Sequence, residues 1–301
     1  MGLQILRWWL TVEIVGVLAL PLTLALFRRL PDRGYGFARS LGILLISYGA
    51  WLFAMLGFGG LSTGLLLGSG LLVVLLGWYA AVRARLDVRA TLRSILPAIA
   101  VHEALFALLL GVGLVLRWRG IYGAQINHTE TPMDFAFLNA ILASQSFPPQ
   151  DPWLAQYPIN YYYFGYVMVA AVTRLAGLPS AITFNLAGAT IYALAGTGVA
   201  GIVWNLIGLE QPVHIGMAPE PLRRRVPKGR IGAALAAVML VLLAGNQVGA
   251  LQWLAQSEPV VALRGAELVP ALRQAGSSGP IVLPEPLPPM PWNEEWGAQA
   301  A

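Results

Sequence analysis

Four residues able to do acid–base or metal chemistry fall within one short stretch, His128, Glu130, Asp134 and Asp151. The surrounding chain is 57% hydrophobic and only 11% charged. Asp134 stands in Thr131-Pro132-Met133-Asp134, a run that opens a predicted helix continuing as FAFLNAILAS. Two compatible readings follow. In the first, Thr131 caps the helix, Pro132 takes the first helical position and Asp134 reaches back as in a capping box. In the second, Asp134 is a carboxylate held rigidly at a membrane surface, where it can act as general base toward a hydroxyl or amine. Asp151 lies in Phe147-Pro148-Pro149-Gln150-Asp151-Pro152-Trp153. Asp-Pro favours turn initiation, and the same carboxylate can instead bind a cation or orient a substrate. Glu130, Asp134 and Asp151 together offer hard oxygen ligands for Mg²⁺ or Mn²⁺, with His128 as an optional nitrogen ligand. Their spacing matches no compact metal motif. Asn127-His128-Thr129 matches the three-residue glycosylation pattern, which recurs often by chance.

The elements that must position these groups are membrane helices. A soluble domain carries about 25% charged residues, and several windows here hold roughly 20 apolar residues, enough to cross a bilayer core. The expected fold is all-α and polytopic, with six spans near residues 8–27, 40–58, 61–82, 94–117, 180–208 and 231–250. Gly59-Gly60 makes the second and third a tight hairpin. Most of the 19 Lys and Arg residues fall in three links. These hold Arg28, Arg29, Arg33 and Arg39; Arg83, Arg85, Arg89 and Arg93; and Arg223, Arg224, Arg225, Lys228 and Arg230. The positive-inside rule places all three in the cytoplasm and puts the 118–179 loop outside. This works only if residues 163–178 do not span. They are apolar but short, so they are expected to form a juxtamembrane helix on the outer face; the alternative is a seventh span that breaks the charge rule. Tyr161, Tyr162, Tyr163, Tyr166 and Trp153 suit the headgroup level as an aromatic belt. A sharper reading makes the tyrosines a platform for sugar rings or for a lipid's polar end.

The layout is therefore a four-helix transmembrane part at 1–117, an external loop with juxtamembrane helices at 118–179, two further spans at 180–250, and a Pro-rich external tail at 251–301 containing PIVLPEPLPPMPW. The chain has no cysteine, which removes disulfide and thiolate chemistry. Its net charge of +5 sits in the interhelical links and gives no sign of nucleic-acid binding. Glu13, His102 and Glu103 lie inside predicted spans, where ionisable groups are expensive and face an interior. His102 and Glu103 point about 100° apart on one helix, so they are expected to reach different partners. Asn185, Asn246 and Gln247 are placed to join helices or extend a polar cavity.

The string PMDFAFLNAILASQSFPPQDPWLAQYPINYYYFGY, continuing through TFNLAGATIYALAG, resembles the signature of the YYY family of bacterial and archaeal membrane proteins, also designated DUF2298. The resemblance covers about residues 125–205; the N-terminal third is similar in character only. Family members are usually longer, so the resemblance implies an N-terminal portion or a split version. The family's layout is similar to that of GT-C glycosyltransferases, which use polyprenyl-phosphate sugars. By that likeness Asp134 matches the acid of the first large external loop, residues 160–178 match the juxtamembrane helix, and 180–208 match the following span. Three functions follow from this reading. The first is a GT-C-like glycosyltransferase of the plasma membrane with Asp134 as base. Asp151 and Glu130 would hold a metal or the acceptor, Tyr161–Tyr163 the substrate, and Arg119 or Arg174 the donor phosphate. The second is a non-catalytic scaffold whose tail docks a partner subunit. The third is a transporter built on Glu13, His102 and Glu103, for which no inverted repeat is visible.

Overall fold

A computed structural model describes residues 1–120, 123–209 and 228–242. Its elements run α1 (Gly2–Leu26), a 3₁₀ turn (Tyr35–Phe37), α2 (Ala38–Phe53), a π turn (Ala54–Phe58), α3 (Thr63–Arg83), α4 (Val88–Ser94), α5 (Leu96–Arg119), α6 (Thr131–Ala143), α7 (Phe164–Ala176), α8 (Ser180–Leu209) and α9 (Lys228–Leu242). The reason for helix throughout is solvent: in lipid every backbone N–H and C=O must find its partner within the segment. Among the described residues, five helices are long and apolar enough to cross a membrane. These are α1, the continuous run Tyr35–Phe58, α3, α5 and α8. The protein is an all-α polytopic membrane protein. The first five expected spans match these helices to within a few residues. The sixth, 231–250, is described as helix through Leu242; its remainder, Asn246, Gln247, Arg223–Arg225 and the 251–301 tail lie outside the described residues.

The long helices alternate in direction along the chain, so that α1 and α3 run parallel, and they approach closely through small residues. A Cβ at Gly42 of α2 would sit 2.4 Å from the Val15 carbonyl oxygen of α1. One at Gly113 of α5 would sit 3.0 Å from the Ala189 Cα of α8. The α2–α3 hairpin turns through Gly59 at φ +101, and Gly60 lies against the Ser144 carbonyl with no room for a side chain. The bundle therefore has a loop end, bearing residues 118–179, and an arginine-rich end. Arg28, Arg29 and Arg33, the α3–α4 link and Arg230 all lie at the latter: Arg230 covers the Trp204 ring at 5.2 Å near the end of α8, where Gly208 meets Pro31.

At 13 residues, or about 20 Å, α7 does not reach across a bilayer. It also does not lie on the surface. Val167, Ala170, Ala171, Val172, Thr173 and Ala176 are all buried, and α7 packs against α1, α2, α3, α6 and α8. A helix resting on the headgroups would keep one polar or lipid-facing side. The small residues of AAVTRLA instead let α7 wedge between longer helices, with the Thr173 hydroxyl donating to Thr183 at 2.8 Å.

Toward the arginine-rich end the bundle buries charge. Arg39, 4% exposed, donates from Nε to both Glu13 oxygens at 3.0 Å. Its Nη2 pairs with Glu13 Oε2 at 2.8 Å and with Glu103. The guanidinium also lies 4.2 Å over the Phe106 ring. The Tyr35 hydroxyl donates to Glu103 Oε1 at 2.6 Å. Sequence counted Arg39 among the solvent-facing topology charges; it is an interior residue that ties α2 to α1 and α5. His102 and Glu103 do reach different partners, as their helical offset required.

Replacing Arg39 with Leu leaves two carboxylates in an apolar interior. Breaking one side of a buried pair costs about 3–5 kcal/mol. The expected result is a lowered unfolding midpoint for Arg39→Leu in lipid nanodiscs, largely restored by adding Glu13→Gln and Glu103→Gln. A single variant as stable as wild type would refute the role.

Candidate functional site

The expected capping box at the start of α6 does not form. Thr131 is already helical and Glu130 holds the cap position without a side-chain cap. The Thr131 hydroxyl turns back on His128, donating to its carbonyl at 2.5 Å and accepting from its N–H at 3.3 Å. Pro132 lies in the first turn, where its missing N–H costs nothing. Asp134 is thereby released from its own helix end. Its Oδ1 accepts from the Tyr166 hydroxyl on α7 at 2.5 Å, and its first-turn position sets the carboxylate in the positive field of the helix N-terminus. The residue is half-buried. Tyr166 stays a donor: burial first, then the Asp134 carboxylate, raises its hydroxyl well above the ordinary tyrosine value.

Aromatic rings surround this pair. Phe137, buried one turn further along α6, stacks on Tyr161 at 5.8 Å and 17° and meets Tyr166 at 5.7 Å. Tyr162 contacts Tyr161 edge-on at 5.3 Å and is 88% exposed. Tyr163 turns the other way: its oxygen accepts from Trp51 Nε1 at 3.0 Å and its hydroxyl faces Met55 Sδ at 4.0 Å. The three consecutive tyrosines therefore divide their work. Tyr163 anchors the loop to α2, Tyr161 covers Phe137 beside Asp134, and Tyr162 is presented outward. Trp153, Leu154 and Tyr157 are exposed on the same loop.

The remaining expected site residues are placed elsewhere in the chemistry. Asp151 Oδ1 accepts from the backbone N–H of Trp153 at 2.8 Å and of Leu154 at 3.1 Å. It builds a turn, which Asp151 N–H and Ile159 N–H close onto the Tyr157 and Pro149 carbonyls. Arg174 donates to the Leu142 carbonyl, one of the last-turn acceptors of α6 that the helix leaves unpaired. Arg119 is exposed at the end of α5. The expected metal set of His128, Glu130, Asp134 and Asp151 is not assembled: among the described residues no three His, Cys, Asp or Glu side chains come together to hold an ion. As placed, these four side chains do not form a site for Mg²⁺ or Mn²⁺.

Two residues that matter here were not singled out by sequence for these roles. Tyr166 reads as part of the aromatic belt, and nothing local connects it to an aspartate 32 positions earlier. Arg117, rather than Arg119, is the tied arginine of the α5 end. Its Nε donates to Asn185 Oδ1 at 2.6 Å and its guanidinium reaches the Gln125 carbonyl at 3.3 Å. Through Arg117, Asn185 joins α8 to α5, one of its two expected roles, and it also donates to the Ala124 carbonyl of the loop at 3.2 Å. Asn139 accepts from Ser180 at 2.7 Å and fixes α6 to the start of α8.

A family described as uncharacterized membrane protein (DUF2298) matches residues 45–297. The match is longer than the signature itself and takes in the helices from the middle of α2 onward. No curated protein and no solved structure matches the chain. The extent of the family match settles the resemblance seen around the three tyrosines: the chain belongs to the DUF2298 family of membrane proteins.

Proposed function

We propose that the loop end is the active site of a membrane glycosyltransferase that takes a sugar from a polyprenyl-phosphate donor, with Asp134 as general base. The observation that carries this reading is the Asp134–Tyr166 pair. A carboxylate freed from capping its own helix, half-buried and oriented by a phenol from another helix, has the geometry of a positioned base rather than of a surface charge. Tyr166 occupies Oδ1 and leaves Oδ2 for an acceptor hydroxyl. In the transfer, Oδ2 takes the hydroxyl proton as the acceptor oxygen bonds to the sugar anomeric carbon. The bond from that carbon to the phosphate oxygen breaks, and the lipid phosphate leaves with the electron pair. Tyr161 and Tyr162 offer faces on which a sugar ring can lie. Of the two arginines expected to meet the donor phosphate, Arg119 stays exposed for it, since Arg174 caps α6. The positive-inside rule places the arginine-rich end in the cytoplasm of the cell and the site on the outer face, where lipid-linked sugars are reached from the bilayer.

A non-catalytic scaffold is the second reading. It is favoured by Asp151 and Arg174, two residues with functional potential that serve a turn and a helix cap. Activity separates the two. Assayed with a panel of polyprenyl-phosphate hexoses, Asp134→Asn is expected to lower transfer by about 10²–10⁴-fold, the contribution of a positioned general base, with folding and expression intact. Full activity in that variant sinks the assignment, and no transfer by the wild-type chain from any of the donors leaves the scaffold.

The pair itself can be tested without substrate. With the neighbouring charge removed, Tyr166 in Asp134→Asn should ionise at lower pH than in the wild type, followed through tyrosine ring carbons by NMR. An unchanged titration would mean the bond is absent in the membrane.

A further inference from the structure

Asp32 lies in the link between α1 and the 3₁₀ turn and is 0% exposed. Its Oδ1 accepts from Gly34 N–H at 2.8 Å and its Oδ2 from Gly36 N–H at 3.3 Å. Its own N–H donates to Asn205 Oδ1 on α8 at 3.1 Å. The ring facing the carboxylate is His102 of α5, 1% exposed, with Nε2 at 3.3 Å from Oδ2. Among the described residues His102 Nε2 meets Asp32 Oδ2, and Nδ1 has no hydrogen-bond partner, an unusual condition for a buried imidazole nitrogen. The Trp204 and Tyr35 rings flank it at 6.0 and 6.4 Å, and a Cβ at Gly36 would sit 2.9 Å from its Cε1.

Charge counting shows what is missing. Around this point the interior holds Glu13 from α1, Asp32, Tyr35 from the 3₁₀ turn, Arg39 from α2 and Glu103 from α5. Arg39 is engaged by the two glutamates. From α9, Arg230 lies over Trp204; Arg89 and Arg93 of α4 are exposed. Among the described residues Asp32 is thus a fully buried carboxylate whose facing ionisable group is an imidazole. A buried lone carboxylate is strongly unfavourable, and a protonated histidine at that distance relieves it.

We infer that Asp32 and His102 form a proton-binding site at the arginine-rich end, and that the bound proton latches the α1–α2 link onto α5 and α8. The proton resides on His102 Nε2 and converts the 3.3 Å contact into a charge-assisted hydrogen bond. Its loss leaves Asp32 without a facing cation and loosens the link, which Asn205 and the Pro31–Gly208 contact then hold to α8. The carboxylate's own behaviour agrees. Burial acts to raise it, yet the facing His102 ring and the Gly34 N–H outweigh burial and hold Asp32 below the ordinary aspartate value. The site lies at the opposite end of the bundle from Asp134 and does not depend on the transferase reading.

The test uses the full chain in lipid nanodiscs with ¹⁵N-labelled histidine. The chain has three histidines, and His128→Gln and His214→Gln assign the His102 signals by elimination. His102 is expected to carry both ring protons at the acid end of the titration and to lose one as the pH is raised. In Asp32→Asn that loss should move to lower pH, because the facing carboxylate charge is gone. A ring that stays neutral, or stays charged, across the whole range overturns the proposal, as does a midpoint indifferent to Asp32→Asn. If Asp32→Asn does not fold, the wild-type titration alone decides.

Discussion

The guanidinium of Arg39 is the interaction on which the arrangement of this bundle turns. One cation, buried over Phe106, holds Glu13 of α1 and Glu103 of α5 at once. Apolar helices in lipid have no hydrophobic drive toward one another, so packing and polar contacts must choose neighbours and register. A charged group there accepts few alternatives, because sliding α2 by one turn would strand three ions. Small residues then let the backbones close around this point, as at Gly16, whose Cβ would meet the Arg39 side chain at 2.9 Å. Asp32, His102 and Asn205 extend the same polar seam to α8.

With that end fixed, the other end can carry a precise loop. α7 is the intermediate: too short to span, too buried to be peripheral, it is wedged among helices whose positions the ionic seam has set. Trp51 and Tyr163 join α2 to the start of α7. Arg174 ties the end of α7 to the end of α6. Between those two ties Tyr166 is aimed at Asp134, and the base is oriented by a helix rather than by loop chemistry.

Much of this was legible in the residues and some was not, for local reasons. The five long helices follow from runs of apolar residues bounded by arginines or glycines, since length and hydropathy alone determine whether a segment can sit in lipid. The turn role of Asp151 was one of its two readings, because Asp-Pro and two preceding prolines act within a few residues. The capping box at Thr131 was read from an equally local pattern and failed. Tyr166, from another helix, offers Asp134 a partner that the pattern does not contain. Arg39 was miscounted as a topology charge because a basic residue next to a span looks the same whether it faces water or two glutamates.

By itself, the sequence determined that this is a polytopic helical membrane protein of the DUF2298 family, roughly where its five long helices run, and which loop gathers the acids. Those properties rest on local composition and short-range backbone preference. Only the tertiary structure decided that α7 is a buried wedge, that Asp134 pairs with Tyr166, that the three tyrosines part company, and that Asp32 faces His102. Each of these rests on contacts between residues more than 20 positions apart, and in a bundle of apolar helices nothing in the intervening sequence encodes which faces meet. Close packing of small residues and the cost of an unpaired charge select one arrangement, and both act only once the helices are side by side.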